Sequence, residues 1–264
     1  MRGLGDRRAS ADDEPGDLPG VVVRLIDGTP LDARARASLL RRLSVGMAAS
    51  ARAAGAIAVG SGRWLTDMVV DFAPHIPIRD ATTLRAHHDG KFGDELASAL
   101  IDNAARATAA VGAAGGVISS LEFAAPPLLL TSPVQVAAET IAVVAIELKL
   151  VAELHEAYGF PATGTPAVRT AAYLGAWTRR RGLDRSLGGS GLPGLVTGAA
   201  RRSLRNRLVR RAGENAVTVM PFMTGALAGA SLNSRETRRL GEQIAGDLGG
   251  HPRRPVRVRR SGRL

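Results

Sequence analysis

FAAPPLLLTSPVQVAAETIAVVAIELKLVAELHEAY, residues 123–158, is the longest apolar stretch of the chain, and its reading decides the fold. Pro126, Pro127 and Pro133 lie near its start. Ser132 followed by Pro133 is a helix beginning: the serine caps, and the proline sits in the first turn, where its missing N–H costs nothing. Gly159, with Pro161 beyond it, is a helix end. The pattern predicts one helix from about Ser132 to Tyr158, close to 25 residues and roughly 37 Å long. A membrane span needs about 20 largely apolar residues with few charges. This stretch has the length, but it carries three prolines, Gln135 and Glu139, and runs on into KLVAELHE. A buried central helix of a bundle fits it better than a span.

Working outward, the segments on both sides also carry helical signals. Val21–Ile26 (VVVRLI) is β-prone and is expected as an extended lead-in packed on helices. Asp32 caps a helix whose apolar positions are Leu39, Leu40, Leu43 and Met47, with Arg34, Arg36, Arg41 and Arg42 between them. From Ala48 to Gly60 the chain is almost pure Ala/Gly, which predicts a buried helix half or a close crossing. Trp64–Phe72 is a further amphipathic piece, and Asp80–His88 a short helix in a polar connector. A strong helix opens at Gly93-Asp94 and continues through Gly112, Gly115 and Gly116, where small residues permit close backbone approach. After the central helix, helices are expected from Thr165 towards Arg179–Arg181 and from Leu195 to Arg211, with a glycine-rich loop, 182–194, between them. Asn215–Leu232 is apolar, and Ser234–Leu248 a last amphipathic helix with Leu240 and Ile244 on one side. The expected architecture is all-α: one multi-helix bundle over 20–248, with disordered tails at 1–19 and 249–264.

Composition bounds the surroundings. The 264 residues carry a formal net charge of +11, and only Lys91 and Lys149 are lysines, so the basic side is arginine. Such a charge suits a polyanion, either nucleic acid or an anionic membrane surface. Arginine-rich usage also follows from G/C-rich codons, which explains the Arg/Lys ratio better than the excess of positive charge. Aromatics make up only 3%, which weighs against base-stacking modules. Cysteine is absent, so disulfides, thiolate metal sites and cysteine nucleophiles are excluded, consistent with a reducing compartment. The first twenty residues have charges of both signs and no apolar core, unlike a signal peptide. Asn215–Leu232 approaches span length and holds Gly225 and Gly229 in GxxxG spacing, a weak signal in a glycine-rich chain. Mean hydropathy is +0.03, high for a soluble protein and low for a polytopic one.

Three stretches together resemble the EcsC family of bacterial proteins: AAVGAAGGVISSLEFAAPPLLL, then AAETIAVVAIELKLVAELHEAYG, then MPFMTGALAGASLNSRETRRLGEQIA with Asn233, Thr237, Gly241 and Ala245. The resemblance covers about residues 95–246, and order and spacing carry it more than any single motif. Where the family typically has an aspartate before the apolar segment, this chain has Glu122, which makes it a divergent member. The resemblance implies a helical, membrane-associated protein of a family named from an association with an ABC-type exporter, and no established reaction.

Candidate chemistry concentrates in the central helix. Glu139 and Glu147 are eight apart, about 80° round the helix at 100° per residue, so both can face a common interior, with His155 a further 80° on. They are read as a candidate buried polar site. Structural ion pairs with arginines such as Arg106 or Arg169 outweigh ligand binding, proton linkage or metal. The Glu-x-x-His spacing of di-iron bundles is not met. Lys149, Glu153 and Glu156 share a face and read as a solvated ion-pair surface. His87, His88 and Asp89, with Asp94 or Glu95, make a weak metal candidate beside the simpler reading of a helix C-terminus. Gly188–Gly191 lacks the lysine of a phosphate loop and reads as a linker. No cofactor or catalytic residue is legible. The basic helix is the better signal: Arg201, Arg202, Arg205, Arg207, Arg210 and Arg211 surround Leu204 and Leu208 and suit an anionic surface. The expectation is a non-catalytic, membrane-associated protein at the inner face of the cytoplasmic membrane, with an envelope or transport role and a membrane transporter as a partner. The alternatives are a soluble nucleic-acid-binding protein, and a small-ligand binder using the buried carboxylates.

Overall fold

The computed structural model describes residues 17–27, 31–123, 132–178 and 224–250, and within them the chain is all-α. The first helix, α1 (Leu18–Ile26), stands where an extended lead-in was expected. Asp17 caps it, accepting from the Gly20 N–H at 2.9 Å, and Pro19 lies in the first turn. Leu18, Val21, Val22, Leu25 and Ile26 follow the i, i+3, i+4, i+7, i+8 spacing of one helical face, and the last four are buried. Here periodicity and tertiary burial prevail over the β preference of the valine run. The helix also begins inside the segment read as a tail.

Helix α2 (Ala33–Ala54) is capped by Asp32 on the Ala35 N–H at 2.6 Å and buries Leu39, Leu40, Leu43 and Met47, as its spacing predicts. Gly55, at φ +83°, breaks it in a left-handed conformation that favours glycine. The short α3 (Ala56–Gly60) and then α4 (Arg63–Phe72) follow. A 3-10 turn at Ala73–His75 leads on to α5 (Ala81–His87), capped by Asp80 on the Thr83 N–H at 2.7 Å.

Three long helices make the centre: α6 (Gly93–Phe123), α7 (Ser132–Ala157) and, beyond α8 (Pro166–Thr178), α9 (Thr224–Gly249). Every residue of α7 from 135 to 154 is buried, and α7 packs against α1, α2, α4, α5, α6, α8 and α9. A helix that is apolar all round needs neighbours all round, and this one has them. It ends as its sequence predicts: Gly159 sits at φ +81°, and the Phe160 N–H closes back on the His155 carbonyl at 2.8 Å.

The most extensive helix pair is α6 with α9. A Cβ on Gly112 would lie 2.7 Å from the Gly229 carbonyl carbon, and one on Gly241 would lie 2.6 Å from Ile101 Cγ1. The second glycine of the GxxxG pair is thus a crossing point within the bundle. The described part of the 215–232 stretch is not separate from the last helix: both run on as the single α9. No helix among the described residues is long and apolar enough to cross a membrane. The glycine-rich 182–194 loop, the helix at 195–211 with its six arginines, and most of both tails lie outside the described residues.

Candidate functional site

The polar residues of α7 divide by helix face. Near its start, Glu139 is 7% exposed and accepts from Gln135 Nε2 at 3.1 Å, while the same amide donates to the Gly115 carbonyl at 2.8 Å. A Cβ on Gly115 would come 1.9 Å from Glu139 Oε1, so the bare glycine of α6 makes room for the carboxylate. Two turns on, Glu147 is completely buried. Its Oε2 accepts from the Trp177 indole N–H at 2.9 Å, and its Oε1 from the Thr237 hydroxyl at 3.1 Å. This carboxylate joins α7 to both α8 and α9. His155 turns back on its own helix: Nδ1–H donates to the Val151 carbonyl at 2.7 Å, and the ring meets Tyr173 edge-on at 5.5 Å.

Glu139, Glu147 and His155 therefore each have their own partners and do not converge on one site: Glu139 meets Gln135, Glu147 meets Trp177 and Thr237, and His155 meets Val151 and Tyr173. The arginines suggested for them are placed elsewhere. Arg106 bonds Asn103. Arg169 lies beside Glu156, where its charge partly offsets the burial that pushes the Glu156 carboxyl up. Burial of Glu147 is made tolerable by directed donors, since a buried acceptor that keeps its hydrogen bonds avoids most of the desolvation penalty.

The opposite side of α7 holds the less expected feature. At 100° per residue Lys149 points about 200° away from Glu147. Lys149 and Glu153 form the expected i,i+4 pair, but they are 7% and 5% exposed, not solvated. Arg79 shares the same carboxylate, with Nη1 3.8 Å from Glu153 Oε1, and also donates to the Asp27 carbonyl. These groups line a cleft of about 530 Å³ bounded by α1, α2, α5, α6 and α7. Arg36 enters it from α2, Arg106 from α6, and His87 and His88 from α5. Among the described residues Arg36 bonds only the Leu31 carbonyl, at 3.5 Å, and neither Arg36 nor Arg106 has a carboxylate partner. Burial pulls the Lys149 ammonium down from its ordinary range against the opposing pull of Glu153. Burial likewise lowers Arg36 and His88. Such a cleft concentrates positive potential and can hold an anion.

Sequence reasoning missed the cleft because its cations stand at positions 36, 79, 106 and 149 and meet only after folding. One signal was present: a lone lysine in the middle of the most apolar helix. The histidines expected as a weak metal candidate line the cleft instead, while Asp94 accepts from the Tyr158 hydroxyl at 2.8 Å. Among the described residues no group of three or more His, Asp or Glu is placed to hold a metal ion.

A second surface lies at the α2–α3–α4 corner. The Ala/Gly run there is exposed, contrary to the buried helix half or close crossing expected of it. Ile57 is 90% exposed and Val59 38%, with Ala53, Ala54 and Ala56 exposed beside them. Arg52 and Arg63 are exposed at the two ends. The inner side is anchored: Ala58 is buried, and the Trp64 indole N–H on α4 donates to Ser50 Oγ on α2 at 3.0 Å. The run projects because Gly55 and Gly62, at φ +83° and +71°, turn the chain sharply on either side of α3. No protein-family model, curated protein or solved structure matches the chain.

Proposed function

We propose that this chain is a non-catalytic helical protein that docks on an anionic membrane surface and serves an envelope or transport role there. The observation that carries the reading is the corner at residues 52–63. A large aliphatic side chain, Ile57, stands 90% exposed at its tip between two exposed arginines. An isolated exposed apolar side chain is ordinary. An apolar tip raised between two sharp glycine turns and flanked by guanidinium groups has the chemistry of interfacial insertion: the aliphatic part enters the acyl boundary while the arginines meet lipid phosphates. The net charge of +11 favours the same partner. So do the arginine-rich 195–211 segment and the resemblance of residues 95–246 to the EcsC family, as sequence patterns. Glu147 and Glu139 act in this reading as structural acceptors that fix α6, α8 and α9 to α7.

Co-sedimentation with vesicles tests the reading. Binding is expected to vesicles containing phosphatidylglycerol, to weaken with salt, and to be slight with phosphatidylcholine alone. Ile57→Asp removes an insertion worth about 1.5–3 kcal/mol and should weaken binding about tenfold or more without lowering the melting temperature. Equal recovery in the supernatant with both vesicle types contradicts the reading. Salt-steep binding to DNA or RNA in its place would favour a nucleic-acid partner for the same charge.

A further inference from the structure

We propose that the cleft between α1, α2, α5, α6 and α7 is a binding site for a phosphate monoester carried on a small organic group. The proposal is independent of membrane docking, which rests on the opposite kind of surface, a projecting apolar tip.

The first support is charge. Arg36, Arg79, Arg106 and Lys149 bring four positive groups to one cavity. Glu153 lines it, and Asp27 acts electrostatically on Lys149, which leaves an excess of two positive charges among the described residues. A phosphate monoester carries about −1.5 to −2 near pH 7, whereas a carboxylate carries one charge. The dianion matches the excess.

The arrangement of partners is the second support. Glu153 is shared between Arg79 and Lys149, so one carboxylate holds two cations side by side at the inner wall. Arg36 and Arg106 are not engaged by carboxylates among the described residues, although Arg36 is half-buried. Arg36 is half-buried and bonds only a backbone carbonyl, so its guanidinium carries part of the desolvation cost of burial without a counter-charge among the described residues, a cost that an anion in the cleft would offset. Arginine forks match phosphate oxygens two at a time, and Asn103, His87 and His88 line the same cleft as further polar groups.

Size is the third. A cavity of about 530 Å³ falls in the range of small-molecule sites and exceeds what a bare phosphate fills. Leu25, Leu100 and Ile146 provide apolar wall beside the cations, so the organic group has a surface to rest on. The same phosphate monoester could arrive free or as the headgroup of a lipid.

Titration calorimetry of the full chain with glycerol 3-phosphate, and vesicle binding with phosphatidic acid in phosphatidylcholine, separate those sources. Glycerol serves as the phosphate-free control. The expected result is saturable, one-to-one binding of glycerol 3-phosphate or selective binding of phosphatidic acid vesicles, with no response to glycerol. Arg36→Gln and Arg106→Gln should each weaken that binding about tenfold, the effect of losing a charged hydrogen bond. Arg106 is exposed, so its variant should keep the wild-type melting temperature even if Arg36→Gln does not. Arg239→Gln, on an exposed position of α9 outside the cleft, should bind as wild type. Ile57→Asp should leave glycerol 3-phosphate binding unchanged, so failure of membrane docking and failure of the cleft are distinguishable. Binding to phosphatidic acid vesicles beyond that to phosphatidylglycerol vesicles of equal charge, reduced by Arg106→Gln and kept by Ile57→Asp, assigns the lipid source; response to glycerol 3-phosphate assigns a soluble ligand. No binding to either probe, or binding that Arg106→Gln leaves intact, overturns the proposal.

Discussion

Glu147 shows what a buried charge can do without chemistry. Its two oxygens each take a donor from a different helix, Trp177 on α8 and Thr237 on α9. Glu147→Ala leaves an indole N–H and a hydroxyl facing a cavity, and a loss of about 3–5 kcal/mol is expected in the urea unfolding free energy. A variant within about 0.5 kcal/mol of wild type would mean that this carboxylate does not tie the helices together. Glu156 behaves differently. Burial raises its carboxyl above the ordinary 4.5, while Arg169 and the Ala81 N–H pull it back and Asp80 pushes it further up. The folded chain thus holds this proton more tightly than the unfolded chain. The resulting stabilisation is fully present below about pH 4.5 and is lost as pH rises through the folded value. Relative to wild type, Glu156→Gln should gain stability across that window and level off once the carboxyl is ionised in both states. Thermal melts from pH 4 to 8 check the sign; a gain confined to the acid end would contradict it.

At the scale of elements, the α6–α9 crossing offers a test by sign. Gly112→Ala sets a methyl 2.7 Å from the Gly229 backbone, so one helix must move, at about 1–3 kcal/mol. Gly246→Ala lies on the same α9 with nothing within 4 Å, and should stabilise by about 0.5–1 kcal/mol through helix propensity. Urea midpoints compare the two; a gain from Gly112→Ala would show that the helices do not meet there. These elements also show what the sequence makes legible. Pro133 and Gly159 delimit α7 because proline and glycine act locally, and the Asp32 cap is local for the same reason. The Gly112 approach was legible as a requirement for small residues, but its partner, Gly229, was not, since a crossing is a property of two helices. In α1 the β propensity of the valine run points one way and the helical period of Leu18, Val21, Val22, Leu25 and Ile26 the other, and burial of that face decides for the helix. The Ala/Gly run of 48–60 misled because small apolar residues fit a buried crossing and an exposed tip equally, and the outcome turned on Gly55 and Gly62. The charged groups on α7 were legible as individuals. Their sorting, with Glu147 towards α8 and α9 and Lys149 towards the cleft, needed the positions of the neighbours.

For the whole molecule, α7 is the organising axis. From 135 to 154 the apolar stretch is buried among other helices, so those residues offer no face to a membrane. The corner at 52–63 is the described surface best suited to membrane contact, and the cationic cleft faces a different chemistry. The absence of cysteine permits a direct measurement. Ile57→Cys gives a single thiol for an environment-sensitive fluorophore at the tip. With phosphatidylglycerol vesicles, a blue shift and quenching by brominated lipid are expected at position 57, and neither change with phosphatidylcholine alone. A label that stays in water while the chain sediments with the vesicles, or a chain that does not sediment at all, would contradict docking through the tip.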